Sequence, residues 1–168
     1  MDDQFLGARF QFTEAVEVES VGGVFRNIFG GTYFAALVPL ASMNALPTGD
    51  PANGIPFNPG EVLAYRTFAG GFPALQVVPF SITLDPGVYG VVFGTGLYGT
   101  SASGSGGMPR YAEVPGSNSF FWSTLPWRWQ SNMGPYENRI QITVVPEPAT
   151  LSLVALGGLG ALLRRRRK

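Results

Sequence analysis

Glycine and proline interrupt this chain so often that long helices have little room to form before residue 145. The 168 residues include 23 glycines and 14 prolines. Glycine carries a high entropic cost inside a helix, and proline removes a backbone donor and clashes with the preceding turn. No segment before residue 145 sustains an apolar period of 3.6 over three turns. The sequence therefore predicts a domain of strands and turns.

Apolar residues before residue 145 recur with a period of two, which is the signature of strands. In residues 8–13, Phe10 and Phe12 fall on one face. Residues 16–21 continue the alternation, with Glu17 and Glu19 on the face expected to meet water. The other predicted strands cover residues 24–29, 32–40, 61–68, 74–84, 88–93, 119–123 and 138–145.

The connections between these strands complete the predicted architecture. Pro79 predicts a bulge or an edge position, and Asp85-Pro86-Gly87 predicts a tight turn that joins two strands as a hairpin. Residues 42–60 form a long loop rich in Pro, Gly and Asn, and loops of this length often carry function. About eight strands with frequent turns predict an all-β fold: an antiparallel β-sandwich, jelly-roll-like, over residues 1–144.

The last stretch, residues 145–168, has a different character. Pro146, Glu147 and Pro148 resist helix and central strand, so they predict an extended hinge. An uncharged apolar run follows, for which we predict a C-terminal hydrophobic helix that engages a membrane. Its apolar residues are Ala149, Leu151, Leu153, Val154, Leu156, Leu159, Leu162 and Leu163. Five cations end the chain and would remain on the cytoplasmic side: Arg164, Arg165, Arg166, Arg167 and Lys168.

Two other interpretations of this tail stay open. An apolar run shorter than the ~17 residues needed for a full span is also typical of a buried core helix. A cluster of cations can also bind nucleic acid. We favour the membrane because a core helix rarely ends against consecutive cations, and because no other basic cluster completes a nucleic-acid footprint.

The order of Val-Pro-Glu-Pro-Ala-Thr, an apolar run and a final arginine cluster resembles the PEP-CTERM sorting signal of Gram-negative bacteria. The resemblance implies that Pro146, Glu147 and Pro148 form a recognition motif for an exosortase, a membrane-embedded protease. It also implies transit through the inner membrane, followed by residence at the cell surface or in the extracellular matrix. Proteins with this signal often accompany exopolysaccharide production, so biofilm matrix and polysaccharide are expected surroundings.

The charge distribution agrees with an exported domain. The chain has eleven basic and eleven acidic residues, but five of the cations lie in the tail, where Glu147 is the one acid. The remaining domain therefore carries ten acids against six bases, which argues against nucleic acid as a partner. Export also requires a signal peptide, and the acidic start Met1-Asp2-Asp3 does not provide one, so we expect that the natural start lies upstream.

The composition limits the chemistry available to the domain. The chain has no histidine and no cysteine, so Ser-His-Asp triads, Cys-His pairs and the usual zinc sites are excluded. We predict no catalytic residues, no metal site and no cofactor. An exported glycan hydrolase remains a lower alternative, because acids such as Asp50, Glu61 and Asp85 are scattered and the sequence does not bring two of them together.

Two motifs deserve a specific interpretation. Residues 94–99 spell G-x-G-x-x-G, but the Gly- and Ser-rich continuation cannot open the helix that a dinucleotide site requires, so we predict a loop joining two strands.

Aromatic residues near residue 125 are the best candidates for stacking on a sugar: Trp127, Trp129 and Trp122. Core packing explains Trp122 equally well. A carbohydrate-binding module held by the tail is therefore the alternative to a non-enzymatic surface or matrix protein.

Overall fold

The fold consists of antiparallel β-strands, as the sequence predicts. A computed structural model describes residues 5–70, 75–101, 105–107, 110–112, 118–124, 127–131 and 136–146. The strands are β1 (Phe5–Phe12), β2 (Val16–Val24), β3 (Arg26–Phe29), β4 (Thr32–Leu40), β5 (Ala64–Ala69), β6 (Leu75–Leu84), β7 (Gly87–Gly94), β8 (Ser105–Gly107), β9 (Arg110–Ala112), β10 (Ser119–Thr124), β11 (Trp127–Ser131), β12 (Tyr136–Asn138) and β13 (Ile140–Pro146).

Helical structure within these ranges is limited to one short 3-10 turn, Pro51–Asn53. In the part of the chain that the structure describes, no helix is long and apolar enough to cross a membrane. The predicted C-terminal hydrophobic helix and the basic end lie outside the described residues.

Two sheets dominate the topology. The larger has six strands in the order β11-β10-β1-β7-β4-β5, and the smaller has three in the order β13-β2-β6. Two further pairs, β12-β9 and β3-β8, complete the described pairing. Every described strand pair is antiparallel.

The larger and smaller sheets face each other across one apolar core, which we call the central core. The period of two sends Val16 and Val18 of β2 into this core, and Val21 joins them after a register shift between Val18 and Ser20. Val78, Phe80 and Leu84 of β6 pack with them. From the larger sheet, β4 contributes Tyr33, Ala35 and Leu37, and β7 contributes Tyr89, Val91 and Phe93. The opposite face of β2 is exposed at Glu17 and Glu19, which confirms the predicted solvated face.

A second apolar cluster, which we call the outer core, covers the outer face of the six-stranded sheet. The alternate residues of β4, which are Phe34, Ala36, Val38 and Leu40, pack there with Phe57, Phe120, Trp122 and Trp129. Both faces of β4 are therefore buried, which explains why its sequence is an unbroken apolar run rather than an alternating one. The outer core also includes residues from loops, so these loops are packed against the sheet.

Glycines on the outer face make room for aromatic rings. A Cβ on Gly94 would lie 2.0 Å from the Phe5 ring, and a Cβ on Gly7 would lie 2.4 Å from Phe120. Rings thus pack directly on the backbone of the sheet, and the glycines cannot be replaced there without moving a buried side chain.

The predicted hairpin at Asp85-Pro86-Gly87 is wrong. The strands before and after it, β6 and β7, belong to different sheets. Leu84 and Tyr89 enter the central core from opposite layers, so this turn is a corner that carries the chain across the core. A hairpin and a corner between sheets use the same turn chemistry. That chemistry specifies how the chain bends, but it does not specify the strand with which each neighbouring strand pairs.

Candidate functional site

The predicted sugar-stacking residues Trp122 and Trp129 lie in the outer core. Their exposed fractions are 1% and 7%, and their rings meet edge to face with centroids 5.4 Å apart. Stacking on a sugar requires an exposed ring face, so this geometry does not support that role for either residue. Trp127 belongs to β11, and its side chain lies outside the described residues.

Trp129 instead fastens the long loop that precedes β5. Its indole Nε1 donates to the Pro56 carbonyl oxygen at 2.6 Å, and its ring packs against Phe57 with centroids 5.5 Å apart. Phe57 is itself buried beside Phe5. The loop of residues 41–63 therefore inserts a ring into the outer core and is held to β11 by a buried hydrogen bond.

Arg9 provides a second attachment for the same loop. This arginine is buried, and its Nε donates to the Ala45 carbonyl oxygen at 2.7 Å. Its remaining described partners are the carbonyl oxygens of Asn118 and Ser119 and the Ser131 hydroxyl, and its guanidinium lies 5.0 Å from the centroid of the Phe120 ring. Burial lowers the pKa of Arg9 from its ordinary value. No pattern in the sequence around Arg9 indicates that this cation is buried.

Glu61 organises the loop from within. Its carboxylate accepts hydrogen bonds from the backbone N–H groups of Thr48, Gly49 and Asn58, and also from the Thr48 hydroxyl. One carboxylate thus joins both ends of residues 48–61. The loop predicted at residues 42–60 is confirmed, and it is a cap fixed by three separate side chains.

An open groove of about 390 Å³ lies between this cap and the turn at residues 95–100. Residues that line it include Ile55, Phe57, Asn58, Pro59, Tyr65 and Tyr98. We call it the Tyr65–Tyr98 groove. Its volume lies within the roughly 300–1,000 Å³ typical of small-molecule sites.

Two stacked tyrosines form one side of the groove. The rings of Tyr65 and Tyr98 are nearly parallel, with centroids 4.0 Å apart and an interplanar angle of 15°. Tyr98 also meets Phe34 edge to face and has a backbone φ of 53°, which is uncommon for a bulky residue. Burial, the neighbouring Tyr65 and the charge of Glu61 raise the pKa of Tyr98. The sequence contained both tyrosines but no pattern that linked them.

The G-x-G-x-x-G motif contributes Tyr98 to this groove. Gly96 and Gly99 have positive φ, and both the backbone N–H and the hydroxyl of Thr100 donate to the Leu97 carbonyl oxygen. Residues 95–101 form a turn without a following helix, so the predicted loop is confirmed. The motif here shapes a wall of the groove, and the helix N-terminus that a dinucleotide site needs is absent from these residues.

The scattered acids do not form a metal cluster in the described part of the chain. Asp50 accepts hydrogen bonds from the Asn53 side chain and the Ala52 backbone N–H, and these bonds lower its pKa. Glu61 is engaged by the cap as described above. Both carboxylates therefore serve the structure of the loop. Glu113 and the side chain of Glu137 lie outside the described residues.

The sorting motif predicted in the tail begins inside the fold. Pro146 is the last residue of β13 and pairs with Val16 of β2. The register shifts between Thr143 and Val144, so the last three residues of β13 form a short separate segment of the ladder. Glu147 and Pro148 lie outside the described residues.

The family model described as the PEP-CTERM protein-sorting motif matches residues 144–168. The C-terminal tail is a PEP-CTERM protein-sorting motif. No curated protein and no solved structure matches this chain. A PEP-CTERM motif is a substrate signal for an exosortase and implies export with transit through a membrane. Within the motif, Pro146, Glu147 and Pro148 are the predicted recognition residues.

Proposed function

We propose that this chain is a non-enzymatic protein of the cell surface or extracellular matrix, associated with exopolysaccharide or biofilm. An exosortase processes it at the PEP-CTERM tail, after which the β-domain remains outside the cell. The observation that carries the proposal is the match of residues 144–168 to the sorting motif. The acidic composition of the remaining domain supports the same conclusion, because it suits a soluble extracytoplasmic protein.

The structural part of the proposal extends beyond the described residues. Residues 149–163 form the membrane helix before processing, and residues 164–168 remain cytoplasmic. Residues 1–144 form the exported domain, and its two facing sheets belong to the jelly-roll type of β-sandwich. The apolar run is short for a permanent span, which favours a temporary anchor.

The experiment compares processing of two tail variants in cells that contain an exosortase. Replacing the motif residues in a Glu147→Gln, Pro148→Ala double variant removes the predicted recognition features and leaves the apolar run unchanged. Thr143→Ala is the matched control, because Thr143 is exposed and lies just before the matched residues 144–168. We expect the double variant to accumulate as the longer unprocessed form while the control is shortened like the wild type. Equal processing of both variants would show that these residues are not the recognition motif.

A second candidate function is a carbohydrate-binding module held by the same tail. The Tyr65–Tyr98 groove favours it, because this groove offers an aromatic surface that Trp122 and Trp129 do not. The hydrolase alternative has no comparable observation in its favour, since Asp50 and Glu61 are both engaged within the cap.

A further inference from the structure

The outer face of the six-stranded sheet carries an aromatic surface that is only partly buried. Tyr65 is 45% exposed although one face of its ring is covered by Tyr98. The exposed area must therefore lie on the opposite face and at the ring edge. A flat, exposed ring of this kind is suited to a ligand that has a flat apolar face of its own.

Three residues with polar side chains line the groove. They are Tyr65, Tyr98 and Asn58, and the Glu61 charge is close enough to raise the Tyr98 pKa. Asn58 Nδ2 donates to Thr48 Oγ1 at 2.9 Å, which fixes the amide in place. An aromatic stacking surface among lining residues that carry two hydroxyls and an amide matches a ligand that has C–H groups on its face and hydroxyls around its edge.

We propose that the Tyr65–Tyr98 groove binds a neutral hexopyranose unit of a polysaccharide. The sugar ring stacks on the exposed face of Tyr65, and its hydroxyls pair with these polar side chains. The proposal rests on the polysaccharide association given above as part of the proposed function, and it assigns that association to specific residues.

Charge favours a neutral sugar over an anionic one. Tyr65 and Glu61 are the ionisable groups whose charges act on Tyr98, and both are acidic. The domain outside the tail also has ten acids against six bases. A uronate would bring its carboxylate close to another negative charge in a partly desolvated groove, which is unfavourable. A neutral hexopyranose has no such cost.

The groove is held in its binding shape before any ligand arrives. Trp129 and Arg9 fasten the cap to β11 and β1, and Glu61 joins its two ends. Tyr98 is held at a positive φ, in contact with Phe34. Because these groups are already ordered, sugar binding does not include the entropic cost of ordering the loop.

The groove also lies in a layer away from the tail. It is on the outer face of the six-stranded sheet, whereas the tail continues from β13 in the three-stranded sheet on the other side of the central core. A protein tethered by its tail would therefore still present the groove to its surroundings.

A proline-rich peptide is the other class of ligand that stacks on tyrosines. Such a peptide also needs donors for its carbonyl groups. The indole N–H of Trp129, beneath the cap, already donates to the Pro56 carbonyl oxygen and is not available for this purpose. The residues that line the groove include no tryptophan to supply another indole donor, which favours the sugar.

Calorimetric titration of the full chain tests the proposal, in a detergent that lacks a sugar headgroup. The probes are hexasaccharides of glucose, mannose and galactose, a uronate hexasaccharide and a proline-rich peptide. We expect binding to at least one neutral hexasaccharide. Tyr65→Ala should weaken it roughly tenfold, while Tyr65→Trp retains it. Leu63→Ala is the matched control, because Leu63 is also 45% exposed and does not line the groove.

Three results would overturn the proposal: no binding to any neutral hexasaccharide, binding only to the uronate or the peptide, or equal loss in the Leu63→Ala and Tyr65→Ala variants. Thermal unfolding of each variant confirms that it remains folded. Processing of the tail, followed in the same variants, keeps the two proposals separate. Absence of sugar binding by the unaltered chain, together with normal processing, rejects the groove alone, and failure of processing with normal sugar binding rejects the sorting function alone.

Discussion

Pro146, the first proline of the sorting motif, pairs with Val16 at the end of the three-stranded sheet. The matched motif starts earlier still, at residue 144, and so overlaps the last three residues of β13. No linker separates the folded domain from its sorting signal. A protease that binds the motif in an extended form must therefore approach the edge of the sheet closely or open the last pairs of this ladder.

A cross-strand disulfide tests whether these last pairs must open. Glu17 and Val145 are direct partners, both are exposed, and the chain has no other cysteine. In a Glu17→Cys, Val145→Cys double variant we expect the oxidised form to be processed several-fold more slowly than the reduced form, because the bond holds the ladder closed. Gel mobility of the product measures the rate. Equal rates in the two redox states would show that processing leaves the ladder intact.

Replacing Arg9 with Met should destabilise the domain by about 3 kcal/mol, since carbonyl groups and the Ser131 hydroxyl would lose their partner in a buried site. The matched control is Arg66→Met. Arg66 also lies over a phenylalanine ring but is exposed, so its loss should change the stability by less than about 0.5 kcal/mol. Urea unfolding measures both values. Similar losses in the two variants would contradict the role given to Arg9 as the anchor of the cap.

Tyr33 and Tyr89 form a natural comparison for the value of a buried hydroxyl. Among the described residues, no hydrogen-bond partner is found for the Tyr33 hydroxyl, whereas the Tyr89 hydroxyl donates to the Asp85 carbonyl oxygen at 2.8 Å. Tyr33→Phe should therefore leave the stability unchanged or increase it, while Tyr89→Phe should cost about 1 kcal/mol. Urea unfolding distinguishes them, and the reverse order would contradict these hydrogen-bond assignments.

Alkaline pH should destabilise the domain through its buried tyrosines. Burial raises the pKa of Tyr33, Tyr89 and Tyr98 above the ordinary value of 10.0. Above that pH the folded state retains phenol protons that the unfolded state releases, so the free energy of unfolding falls as the pH rises. Denaturant unfolding at several alkaline pH values should show this decline, and Tyr33→Phe should reduce it. A stability that stays constant above pH 10.0 would contradict the burial of these groups.

Much of the fold could be predicted from local pattern. The period of two located β2 and β13, and the unbroken apolar run located β4, because side-chain alternation depends on neighbouring residues alone. The turn at Asp85-Pro86-Gly87 could not be interpreted in this way. Whether β6 pairs with β7 or crosses to the other sheet depends on contacts that are distant in sequence.

The candidate groove was hidden for the same reason. Tyr65 and Tyr98 are separated by more than thirty residues, and only the pairing of β4 with both β5 and β7 brings their segments together. The sequence makes Trp129 a candidate for sugar stacking, but the structure buries it. Its indole N–H donates to the Pro56 carbonyl oxygen in the cap, which satisfies this donor inside the core. The tail, in contrast, is recognisable from the sequence because its signal is a linear order of residue types.

The most direct test of the sorting function is the mass of the C-terminus of exported protein recovered from cells that contain an exosortase. Processing at the motif predicts that the C-terminal peptide ends near Pro148 and that the apolar run and the terminal Arg164–Lys168 block are missing. The control is the same measurement in cells without the protease, where the full tail should remain. A complete tail on all exported protein from exosortase-containing cells would contradict the account.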